Sequence, residues 1–92
     1  MIDAQEKAKE EYLETLSHNG EIEFNYNGFF YHIEPDYKKE DTYNIWKFAD
    51  EYEGGGEMIA VCSPAISILE EKAFDGKNIL EIEGDMTDCT LR

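Results

Sequence analysis

Glu21-Ile-Glu-Phe-Asn-Tyr26 alternates polar and apolar residues without a break, Asn27-Gly28 follows, and Phe29-Phe-Tyr-His-Ile-Glu34 resumes. Asn-Gly is the preferred pair for a two-residue hairpin turn, because both central residues of a type I′ turn need positive φ. Such a short loop fixes the register: Tyr26 faces Phe29, Phe24 faces Tyr31 and Ile22 faces Ile33. These six residues are all apolar or aromatic and share one face, which the pattern assigns to the core. The other face pairs Asn25 with Phe30, Glu23 with His32 and Glu21 with Glu34. A slip of one residue would bury Glu21 and Glu23, so the alternation itself protects the register.

A helix precedes the hairpin. Asp3 with Glu6 three residues on resembles a capping box, and Asn19-Gly20 supplies a left-handed stop, which predicts a helix over residues 3–18. Ala8, Tyr12, Leu13 and Leu16 give it one apolar face, and Glu6, Glu10, Glu11 and Glu14 fall mostly on the rest. Beyond the hairpin, Pro35-Asp36 ends the strand and residues 42–49 predict a third. There Trp46 and Phe48 carry the most apolar area, and the face they share with Asn44 is expected inside. Residues 58–62 predict a fourth strand, giving a four-strand antiparallel meander. Ser63-Pro64 has the form of a helix start, and Asp75-Gly76 that of its end. Residues 77–84 fit a short helix; the alternative is a strand returning over residues 86–91. The expected fold is α+β: about four antiparallel strands, an N-terminal helix and one or two C-terminal helices packed on one face.

Ninety-two residues make one domain, 1–92, with 41% apolar residues, six Tyr, five Phe and one Trp as core material. Eight Lys and Arg against 22 Asp and Glu give a net charge of −14. That balance excludes direct nucleic-acid binding, which needs cations to displace phosphate counterions, and docking on anionic membranes. No apolar run approaches a membrane span, the acidic N-terminus is unlike a secretory signal, and two cysteines are too few for a disulfide framework. A cytoplasmic location is expected.

Few residues suggest chemistry. Cys62, Cys89, His18 and His32 follow no zinc-ligand spacing, and Cys62 sits in an apolar strand as a small core residue. Gly54-Gly55-Gly56 lacks the Lys-Ser/Thr of a phosphate loop and has acidic flanks. Tyr37, Tyr43 and Tyr52 read as rim aromatics of a small core. No catalytic residue, metal ligand or cofactor is assigned. The constellation that the register does produce is Glu23 facing His32 with Glu21 facing Glu34 beside it. It is expected to be an acidic patch for a partner, together with Asp50, Glu51, Glu53 and Glu57 around the glycine run.

A charge of −14 exceeds the magnitude of about 2–8 that solubility asks of a small domain, and it adds self-repulsion. With its short single domain, the acidic helix from Asp3 and the hairpin around Asn27-Gly28, the chain resembles the small acidic proteins of bacteriophages and mobile elements. Among these are anti-CRISPR proteins that block the nucleic-acid channels of nucleases. The resemblance is one of type, with no motif from which a functional residue carries over. It implies a non-enzymatic binding or inhibitory protein whose carboxylates take the place of phosphates on a basic partner, such as a nucleic-acid-binding protein or nuclease. The alternative is a cytosolic accessory domain without mimicry, for which a homodimer is open. A small metal-binding protein or enzyme comes third.

Overall fold

The computed structural model describes residues 3–49 and 55–92. Helix α1 (Ala4–Ser17) starts where the Asp3 side chain accepts a hydrogen bond from the Glu6 backbone N–H at 2.9 Å. It ends as Asn19 turns left-handed, at φ 58°. Its buried stripe is Ala8, Tyr12 and Thr15, while Leu13 and Leu16 pack half-buried against the edge of the core.

Strands β1 (Ile22–Tyr26) and β2 (Phe29–Pro35) pair in the expected register, with Ile22 opposite Ile33, Phe24 opposite Tyr31 and Tyr26 opposite Phe29. Asn27 and Gly28 take φ of 51° and 85°, as the turn requires. Five of the six inward residues are buried. Phe29, beside the turn, is instead 39% exposed, and the Lys47 ammonium sits 4.0 Å above its ring. The core ends before the hairpin tip does.

Strand β3 (Tyr43–Phe48) pairs with β2 so that Ile45 lies opposite Ile33 and Trp46 opposite His32. Opposed residues share a face, so Tyr43 and Ile45 enter the core while Trp46 and Phe48 point the other way. This reverses the face expected from apolar area. In the middle of a sheet, the hydrogen-bonded neighbour sets the parity. Tyr43 is correspondingly no rim residue; it is buried, and its hydroxyl donates to the Gly20 carbonyl at 2.8 Å. Strand β4 (Glu57–Cys62) follows antiparallel to β3, with a bulge that leaves Ile59 between the Ala60–Ile45 and Met58–Trp46 pairs.

The C-terminal helices do not form. Ser63-Pro64 leads only into a 3-10 turn over Ala65–Leu69, which buries Ala65, Ile68 and Leu69. Asp75 and Gly76, at φ 54° and 79°, close a tight turn in which Phe74 and Lys77 exchange backbone hydrogen bonds of 3.0 Å. An Asp-Gly pair serves a hairpin turn as well as it serves a helix stop. Asn78 and Glu81 then cap each other's backbone N–H groups at 3.0 Å, holding one turn instead of a helix. A second 3-10 turn over Glu83–Asp85 leads into strand β5 (Thr87–Leu91), which pairs antiparallel with β1.

The result is an α+β fold with a five-strand antiparallel sheet in the order β4-β3-β2-β1-β5. One face carries α1 and the irregular segment 63–86, which sends Phe74, Ile79 and Ile82 into the core. The Phe74 ring meets Phe24 and Tyr31 edge-on, at centroid distances of 5.5 and 5.0 Å. On the opposite face Glu23, Asn25, Phe30, His32, Glu34, Asn44, Trp46 and Phe48 are all only half-buried. No described helix is long and apolar enough to cross a membrane.

Candidate functional site

The uncovered sheet face centres on His32. Strand pairing sets Glu23 and Trp46 on either side of it, one from β1 and one from β3. Its Nε2 lies 2.6 Å from Glu21 Oε1 and 3.8 Å from Glu34 Oε2, and its Nδ1 lies 3.9 Å from Glu23 Oε2. The imidazole thus sits between three carboxylates. This accounts for the tolerance of Glu21 beside Glu34, since an Nε2–H bond to Glu21 offsets the like-charge opposition.

The chain's only guanidinium joins this group. Glu21 and Arg92 exchange backbone hydrogen bonds of 2.9 Å in both directions, which extends the β1–β5 ladder by one pair. That pairing brings the Arg92 side chain onto Glu23, whose own side chain is 13% exposed. Arg92 could not be found from sequence, because its place depends on β5.

Next to the carboxylates lies an aromatic ledge. Phe30 and Phe48 oppose each other across β2 and β3 with ring centroids 5.8 Å apart, and Trp46 occupies the next outward position of β3. The Trp46 indole Nε1 and the Asn44 Oδ1 are shielded from solvent without hydrogen-bond partners among the described residues. The sequence does not reveal the ledge, because apolar area alone places Trp46 and Phe48 in the core.

Glu21, Glu23 and Glu34 are therefore brought together. Glu57 is not: it starts β4, three strand spacings or about 14 Å from β1, opposite Lys47. Asp50, Glu51 and Glu53, like Tyr52, lie outside the described residues. Tyr37 is exposed on the loop before β3.

Chemically, Glu21, His32 and Glu34 each offer one ligand atom within 4.8 Å of the others, a set that suits a shared proton or one divalent cation. The cysteines and His18 do not join it. Cys62 is buried in β4, and burial pushes its thiol up to about 11. The Cys89 thiol is also pushed up, first by burial and then by the charges of Glu83 and Glu11. Both thiols therefore stay protonated near neutrality, the opposite of an activated nucleophile. Of two surface grooves, of about 420 and 460 Å³, the second reaches Arg92, and neither is lined by His32 or by the three carboxylates around it. No family model, curated protein or solved structure matches the chain.

Proposed function

We propose that this is a non-enzymatic binding or inhibitory protein whose uncovered sheet face docks on a basic surface of another protein. One observation carries the reading: three carboxylates gathered around His32 stand beside the Trp46, Phe30 and Phe48 ledge on a face that no helix among the described residues covers. Carboxylates steer a cationic partner and set its orientation, and aromatic side chains supply the desolvated anchor that affinity needs. Strand pairing fixes this spacing before contact, so little side-chain or loop ordering opposes binding. A net charge of −14 extends the attraction beyond the contact itself. A nucleic-acid groove of a nuclease, lined with Lys and Arg, is the kind of surface that fits, which is the anti-CRISPR type of inhibition.

The experiment is capture from a bacterial lysate at rising salt. Basic proteins should be retained at low ionic strength and released as salt screens the contact. Retention indifferent to salt would remove the electrostatic basis of the proposal. Calorimetry with manganese or zinc gives the opposing outcome. A tight stoichiometric signal, lost on His32→Ala, would replace docking by a metal site.

A further inference from the structure

The two edges of the sheet are built differently. At the β5 edge, Asp88 turns left-handed at φ 53° and the register with β1 breaks between Glu23 and Asn25. Thr87, Asp88 and Thr90 there are exposed and polar. A bulge and a charge are the usual means by which an edge refuses a further strand. The β4 edge carries a bulge too, at Ile59, but from Met58 to Cys62 it holds no charged residue, in a chain that is 33% charged. Large apolar side chains also lie open on this side. Met58 and Val61 on β4 are 47% and 49% exposed, and Ile66 in the 3-10 turn that follows is 55% exposed.

We infer that β4 is the contact through which a second copy of this chain docks, by antiparallel edge-to-edge pairing about a two-fold axis. Charge selects this occupant. Two copies at −14 repel across most of their surfaces, and can approach closely only where neither presents carboxylates. A basic partner, by contrast, finds nothing to pair with along Met58–Cys62. The strand is self-complementary. With the axis between Ile59 and Ala60, Met58 of each copy lies opposite Val61 of the other. Both residues already stand on the same outward face, opposite Trp46 and Asn44 of β3. Pairing satisfies the outer backbone groups of β4 and covers both side chains, while Glu57, the one charged residue of the strand, stays at the rim. One strand pair is a small interface, below the roughly 1,000 Å² that a stable specific contact clears, so the dimer is weak and concentration-dependent.

Sedimentation of the full chain from micromolar to millimolar concentration, at low and high salt, tests the contact. The average mass should climb from 10.7 kDa towards twice that value, and at lower concentration when salt is high, because screening relieves like-charge repulsion. Val61→Lys should weaken association by roughly tenfold or more, since it sets like charges into the paired edge. Met58→Lys does the same from the other half of the pair, and circular dichroism shows which variants keep the fold. A chain monomeric throughout at high salt, or a dimer that survives a folded lysine variant, overturns the proposal. Docking on a basic partner weakens with salt where this contact strengthens, so failure of one leaves the other standing.

Discussion

Phe24 lies fully buried, stacked on Tyr31 at 5.3 Å and met edge-on by Phe74 at 5.5 Å. Neighbours from β2 and from the segment after β4 cannot both close over a smaller side chain. Phe24→Ala should therefore cost about 3–5 kcal/mol, a large share of the roughly 5–15 kcal/mol of a small domain. Urea denaturation reads this directly, and a loss below about 1 kcal/mol would contradict the packing. Three buried tyrosines carry a second prediction. Burial raises the phenols of Tyr12, Tyr31 and Tyr43, with a hydrogen bond to Glu83 and its charge adding to Tyr12, and Tyr31 is pushed up to about 12. Above their ordinary value of 10.0 the unfolded chain loses these protons while the folded chain keeps them. The unfolded state then binds fewer protons, so stability falls as pH rises past that value. Thermal midpoints should begin to fall near pH 9, where the raised thiols of Cys62 and Cys89 act with the same sign, and drop further through the two pH units above 10. A midpoint unchanged there would mean that the phenols are not held as described. Glu23 also has a role beyond its charge, because its mostly buried carboxylate holds the exposed Arg92 side chain. Glu21 and Glu34 are the carboxylates to alter when the docking face is probed.

Among the elements, the junction of α1, β1 and β5 is the tightest. Gly20 passes so close to the end of β5 that a Cβ there would overlap the Arg92 carbonyl oxygen. Gly20→Ala must push Arg92 away from Glu21 and cost about 1–3 kcal/mol, as overpacking does. Hydrogen exchange at the Glu21 and Arg92 amides should quicken in this variant, and unchanged protection of both would contradict the β1–β5 pairing. The sequence shows which elements were legible and why. The β1–β2 hairpin could be read to the residue because strict alternation and Asn27-Gly28 agree, and α1 because Asp3 and Asn19 mark its ends. The inward face of β3 could not, since both of its faces carry aromatic or branched residues and only pairing with β2 decides between them. β5 emerges from the sequence only as the alternative to a helix, because Thr-Asp-Cys-Thr lacks apolar alternation and its partner strand lies far back in the chain. The candidate site divides the same way. Glu23 beside His32, and Glu21 beside Glu34, follow from the hairpin register alone, whereas Arg92 depends on the pairing of β1 with the distant β5 and the Trp46 ledge on the register of β3 against β2.

Over the whole molecule, charge and fold act on different surfaces. The helix and irregular segments close one side of the sheet, the other side gathers carboxylates around His32 beside the aromatics, and the β4 edge is neutral from Met58 to Cys62. A charge of −14 draws cations to every part of such a surface, so affinity for a basic partner alone does not locate the docking face. Location is the central claim, and Trp46, the only tryptophan, stands on that face to report it. The direct measurement is Trp46 fluorescence during titration with a lysine-rich peptide, on the unaltered chain and on two variants that each remove two charges. The account predicts a saturable change that is lost in Glu21→Gln/Glu34→Gln and kept in Glu6→Gln/Glu10→Gln, whose substitutions lie on the exposed side of α1. A peptide that binds without altering Trp46, or that is weakened equally by both pairs of substitutions, would contradict it.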